Sequence, residues 1–114
     1  MKLHADFSKR AQWDTNAMEW IASPVAGVER KMLDRIGKEK ARATSIVRYA
    51  PNSGFTEHEH PMGEEFLVLK GVLKDEHGVY PSGTWLRQPD GSKHAPWSDE
   101  GCVLWVKRGH LPPA

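Results

Sequence analysis

The chain predicts an all-β fold in a single domain. Turn-forming Gly and Pro residues recur along most of its length, and short segments rich in strand formers fill the gaps. No long stretch keeps a 3.6-residue apolar period. Strands returning at roughly ten-residue intervals between such punctuation suggest a β-sandwich or barrel. A length of 114 residues suits one domain and leaves no room for a second. A domain of this size can bury a core without disulfides, in keeping with its single cysteine, Cys102.

Residues 1–27 read as a mostly irregular or strand-forming arm. The best helix candidate lies within it, "DTNAMEWIA" from Asp14, and Pro24 limits that helix to about two turns. Strand candidates then follow in order: "VERKMLDRI" from Val28, "ARATSIVRY" from Ala41, "FTEHEH" from Phe55 and "EFLVLKGVL" from Glu65. "TWLRQ" from Thr84, "HAPW" from His94 and "CVLWVKR" from Cys102 complete the set. Between them stand the turn signals "PNSG", "PMG", "HG", "PSG", "PDG" and "DEG".

Charge and hydropathy exclude two function classes. Sixteen basic against fifteen acidic residues give a net charge of +1, unlike the basic footprint of a nucleic-acid binder. The longest purely aliphatic or aromatic runs, "FLVL" and "VLWV", are four residues long, far too short to span a membrane. The first residues carry no apolar core of signal-peptide length, so a cytoplasmic protein is the expectation.

The chemistry concentrates in "HEHPMGEEFLVLKG", residues 58–71. Side chains alternate across a strand, so His58 and His60 point to one side and set two imidazoles close together. Glu64 begins the next apolar run, just after the "PMG" turn, and can fold back beside them. His94 closes another turn, "PDGSKH", which a barrel could bring to the same interior. Three imidazoles and one carboxylate suit a divalent metal such as Zn, Fe, Mn or Ni. Glu65 points to the opposite face and is expected in a surface or interface ion pair. His4, His77 and His110 fall in the arm, a turn and the tail, and are expected to be exposed. Arg48 and Arg87 are the cations that could reach a cavity, with surface exposure the simpler expectation. "VERKMLDR" reads as an exposed or intersubunit strand. Trp85, Trp97 and Trp105 read as core or dimer-interface residues, and Cys102 as a buried free thiol.

The spacing His58-x-His60-x3-Glu64-x6-Gly71 resembles the later part of the first cupin motif. Gly83-x5-Pro89-x-Gly91-x2-His94 resembles most of the second. Asn52 replaces the glycine that usually opens the first motif, and Ser98 the asparagine that usually ends the second. From about Gly27 to Lys107 the chain is similar to the cupin domain of the ChrR family, most specifically in the block from Gly63 to Thr84. That resemblance implies an RmlC-like jelly-roll β-barrel of two antiparallel sheets, with a cupin domain over residues 28–110. It also implies one divalent metal held by His58, His60, Glu64 and His94. Founding members of the family are anti-sigma factors that join a helical zinc-binding domain to the cupin. Residues 1–27 are too few for such a domain, so anti-sigma activity is not implied.

Two functions of different class follow from the resemblance. A metal with open positions suits a small-molecule dioxygenase or oxidase. Zinc in the same place suits a non-catalytic sensor or regulatory cupin. A metal-free epimerase or isomerase of the same shape is disfavoured because all four ligand positions are filled. A homodimer is the expected assembly, since twofold symmetry is the commonest closed form, and a small-molecule ligand is the expected partner at the site.

Overall fold

The computed structural model describes all residues from 1 to 114. Its twelve strands are β1 (Lys2–Leu3), β2 (Ile21–Ala22), β3 (Val28–Gly37), β4 (Ala41–Tyr49), β5 (Ser53–Gly54) and β6 (His58–His60), then β7 (Glu64–Asp75), β8 (Gly78–Pro81), β9 (Trp85–Gln88), β10 (Ser92–His94), β11 (Trp97–Ser98) and β12 (Cys102–Arg108). Every pairing is antiparallel. Ten strands form one curled sheet whose spine runs β3-β4-β12-β7, and β6 and β10 form a separate two-stranded sheet. This is the jelly-roll barrel the sequence predicts.

The curl turns on Gly71. Up to that residue β7 pairs with β12, and beyond it with β8 and β11. The β12–β7 register slips at this corner, and Gly71 takes φ +75°, where a side chain would be strained. A Cβ there would collide with the Gly101 carbonyl oxygen. The core fills the bend with Val28, Tyr49, Phe66, Val68, Leu73, Cys102 and Leu104. Cys102 is buried as expected, and burial pushes its thiol up to about 11. Asn52 holds φ +58°, a conformation asparagine tolerates, which accounts for its replacing a glycine. Ser98 is fully buried and donates its hydroxyl to the Val72 carbonyl at 2.6 Å.

The arm lies on the outside of its own sheet. β1 and β2 pair with opposite ends of β3, so the arm's strands extend the sheet. The expected two-turn helix shrinks to a single 3-10 turn at Thr15–Ala17, capped by the Asp14 carboxylate. Its intended continuation is diverted because Trp20 packs under Lys31 and Arg48, with ring centroids 4.5 and 4.3 Å from the two cations. Phe7 makes the same kind of contact with Arg42 at 4.6 Å. No helix is long and apolar enough to cross a membrane.

Of the two places expected for Trp85 and Trp97, the core is excluded: they are 54% and 38% exposed. One expectation needs correction. β3 is not a simple exposed strand. Its register slips between Met32 and Asp34, making Leu33 an extra, bulged residue whose carbonyl accepts from the Trp13 indole at 2.9 Å. Arg30 and Arg35 are five positions apart and would otherwise face opposite sides; the bulge turns both inward.

Candidate metal centre

Strand alternation and two turns build the site. His58 and His60 lie two apart on β6, and His58 sits directly opposite His94 on β10. After β6 the chain reverses at Pro61-Met62-Gly63, where Met62 and Gly63 take φ +60° and +71°. The Gly63 and Gly91 amides both donate to the His60 carbonyl, at 3.0 and 3.1 Å. That shared acceptor ties the turn delivering Glu64 to the turn delivering His94. The ligand atoms of His58, His60 and His94 all lie within 4.8 Å of one another. Glu64 is not one of this cluster but stands beside two of its rings, with Oε2 3.1 Å from His60 Nδ1 and Oε1 3.9 Å from His94 Nε2.

Neighbouring groups decide which ring nitrogens are free. His58 Nδ1–H donates to the Thr56 carbonyl at 3.0 Å, leaving Nε2 with its lone pair. His94 Nδ1–H donates to Asp75 Oδ2 at 3.2 Å, which likewise frees Nε2. Asp75 is itself fixed by the Tyr80 hydroxyl at 2.7 Å and the His77 amide at 2.8 Å. Burial alone would raise the Asp75 carboxyl, but these hydrogen bonds outweigh it and hold the group below the usual range. Asp75 was not legible as a site residue, because "DEHG" reads only as a turn.

Electrostatics favour neutral imidazoles. Burial pushes His60 down to about 3, helped by His58, His94 and Arg108. His94 is lowered too, by burial first, with Asp75 opposing. Burial raises Glu64 to about 7 against the pull of Arg108. His60 Nε2 and His94 Nε2 are 2.7 Å apart, so two bare lone pairs cannot face each other there. One proton relay satisfies the set: Glu64 donates to His60 Nδ1, His60 Nε2 to His94 Nε2, and His94 Nδ1 to Asp75. A cation would do the same with Glu64 ionised. The residues present therefore fit a divalent metal: neutral nitrogen donors, a carboxylate, and outer hydrogen bonds that orient the rings.

The histidines form one end of a cavity of about 270 Å³. Val28, Val47, Phe55 and Leu104 give it an apolar wall. Its other lining includes Arg30, Arg35, Arg108 and Glu39, none of which the sequence pattern singled out. The cations it did single out lie elsewhere. Arg48 pairs with Glu29 at 2.7 Å and Arg87 with Glu65 at 2.8 Å. Glu65 is in the expected outward ion pair. His110 departs from expectation: it is largely covered and meets Glu65 Oε1 at 2.6 Å, whereas His4 and His77 are exposed.

The model of the ChrR cupin-like domain family matches residues 8–112. The chain belongs to this family. Solved structures share the fold at low identity. The complex of Rhodobacter sphaeroides SigE with the anti-sigma ChrR is 19% identical with a TM-score of 0.68, over 81% of this chain and 50% of that one. This chain thus spans half the length of that relative. An acetylacetone dioxygenase from Acinetobacter johnsonii is 18% identical with a TM-score of 0.70, covering 95% of this chain and 77% of that one. A putative acetylacetone dioxygenase from Methylibium petroleiphilum gives 16% identity and a TM-score of 0.77, over 88% and 76% of the two chains. No curated protein matches the chain in sequence.

Proposed function

We propose that this cupin holds one divalent metal through His58, His60, Glu64 and His94 and binds a small chelating molecule beside it, as an oxidative enzyme. The convergence of the three histidine ligand atoms within 4.8 Å is the observation that carries this reading. When bound, a metal would polarise a coordinated oxygen and, if redox-active, support dioxygen chemistry. The protein's own part is to prepare that environment. Thr56 and Asp75 fix the tautomers of His58 and His94. The apolar wall limits water around the reacting centre. Glu64 supplies the negative charge that three neutral imidazoles lack, and holds a proton at Oε2 when no cation is present. Zn, Fe, Mn and Ni all suit this donor set.

The family match favours a second reading, a non-catalytic zinc-binding regulatory cupin. The two separate by one experiment. Protein produced with each metal is assayed for oxygen consumption with small dicarbonyl compounds. Consumption that depends on Fe, Mn or Ni and disappears in His60→Ala supports the enzyme; its absence with every metal leaves the regulatory reading.

We also propose a twofold homodimer. It is supported by the apolar outer face, where Leu69, Val79, Trp85 and Trp97 are all exposed.

A further inference from the structure

The cavity is asymmetric in charge. Besides Glu64 at the histidine end, it is lined by three guanidinium groups, Arg30, Arg35 and Arg108, and one further carboxylate, Glu39. Glu39 is engaged by Arg30, which grips both its oxygens at 2.8 and 3.3 Å. Arg35 and Arg108 have no carboxylate of their own. Arg35 is 3% exposed and donates one Nη1 bond to the Lys38 carbonyl, while its Nε is buried without a partner. Arg108 feels the charges of Glu64 and Glu39 but no hydrogen bond, and burial lowers its pKa.

Their placement follows from strand register. Arg35, Ala43, Arg108 and Glu64 occupy one rung across β3, β4, β12 and β7, so all four side chains share the inner face. Ala43, which is buried, separates the two arginines with the smallest side chain that a strand can place there short of glycine. A cationic pair is thus set into the wall, beside the histidine cluster, with space left above Ala43. Glu39 and Glu64 act on these two guanidinium groups through charge but hydrogen-bond neither, and burying such groups is costly unless an anion completes their bonds.

We propose that Arg108 and Arg35 form the carboxylate-binding half of the ligand site, so that the molecule bound here is a small oxo- or hydroxy-acid. One end offers oxygen donors to the metal and the other a carboxylate to the arginines, whose planar donors match it in bidentate fashion. The cavity of about 270 Å³ has room for a small acid of this kind. Arg30 is a positioning residue, since it engages both oxygens of Glu39 and leaves that carboxylate to act on Arg35 and Arg108 through charge alone. This assignment refines the metal-site reading and rests on it for the chelating end only.

The test uses the zinc-loaded full chain and titration calorimetry with oxalate, malate and 2-oxoglutarate, with 1,2,4-butanetriol as a neutral comparison. At least one acid should bind, and the triol should not compete. Arg108→Gln should weaken that acid tenfold or more with zinc content unchanged. Ala43→Val removes no charge but fills the space between the arginines, and should weaken the acid similarly. If no acid binds, or if one binds Arg108→Gln as tightly as the parent, the proposal is overturned. If the chain takes up no zinc yet still binds an acid in an Arg108-dependent manner, the carboxylate site stands and the metal reading fails.

Discussion

Arg108 on β12 and Glu64 on β7 face each other across one rung of the curled sheet. They interact through charge without pairing: each moves the other's pKa, yet no hydrogen bond joins them. Glu64 is thereby left free for the histidines, and Arg108 for the cavity. The same rung thus runs from the candidate metal site to the cationic wall beside it.

The adjacent carboxylates should separate cleanly. Glu64→Gln removes the negative charge from the histidine cluster and should lower metal affinity at least tenfold. Glu65→Gln should leave metal binding intact, because Glu65 faces outward to Arg87 and His110. Its stability cost should be on the order of 1 kcal/mol, as for partly exposed ion pairs. Chelator competition and thermal unfolding measure the two effects.

Asp75 should matter without touching the metal. Asp75→Asn keeps the shape but loses the carboxylate that fixes the His94 tautomer, and metal affinity should fall about tenfold to a hundredfold. Tyr80→Phe removes one of the bonds holding Asp75 and should give a smaller loss in the same direction. Equal affinity in the parent and Asp75→Asn would count against this role.

The dependence of stability on pH follows from two opposed shifts. His60 falls from 6.5 to about 3, so its contribution is complete above pH 6.5 and is lost as pH falls below that value toward 3. Glu64 rises from 4.5 to about 7, so its contribution is complete below pH 4.5 and is lost as pH rises through 7. The metal-free site is therefore never at its best for both groups. A bound cation takes neutral imidazole and ionised carboxylate together, so the rise in Tm on adding zinc should grow from pH 5 to pH 8. Scanning fluorimetry with and without zinc reads this directly, and a shift that shrinks with pH would contradict it.

Cys102 should behave as a structural thiol. It is buried and its pKa is raised to about 11, so a thiol-reactive probe at pH 8 should label it slowly in folded protein and rapidly after denaturation. Fast labelling of the native chain would point instead to a reactive role.

Much of this architecture was legible in the residues. Gly and Pro spacing located the strands, and strand alternation put His58 and His60 on one side. The glycines at 71, 83 and 91 did the same for the turns, because their positive φ angles leave few other residues possible. What stayed hidden depended on contacts distant in sequence. The bulge at Leu33 breaks the two-residue period of β3, so "VERKMLDR" looks like a charged surface strand when two of its arginines face inward. Asp75 reaches His94 across 19 positions, and nothing local distinguishes it from an ordinary turn aspartate. Arg108 ends a strand, where a cation is normally solvated. The helix signal at Asp14 ends at Met18, where the backbone becomes extended, and Trp20 beyond it packs under two cations distant in sequence.

The central claim is the four-residue metal site, and metal stoichiometry by elemental analysis tests it most directly. Parent protein, His60→Ala and His77→Ala are each incubated with Zn, Fe, Mn, Ni or Co and freed of unbound ion. Parent and His77→Ala should carry about one metal per chain, because His77 lies in an exposed turn, and His60→Ala should carry far less. Parent protein that stays metal-free with every ion, or His77→Ala that loses metal as readily as His60→Ala, would contradict the assignment.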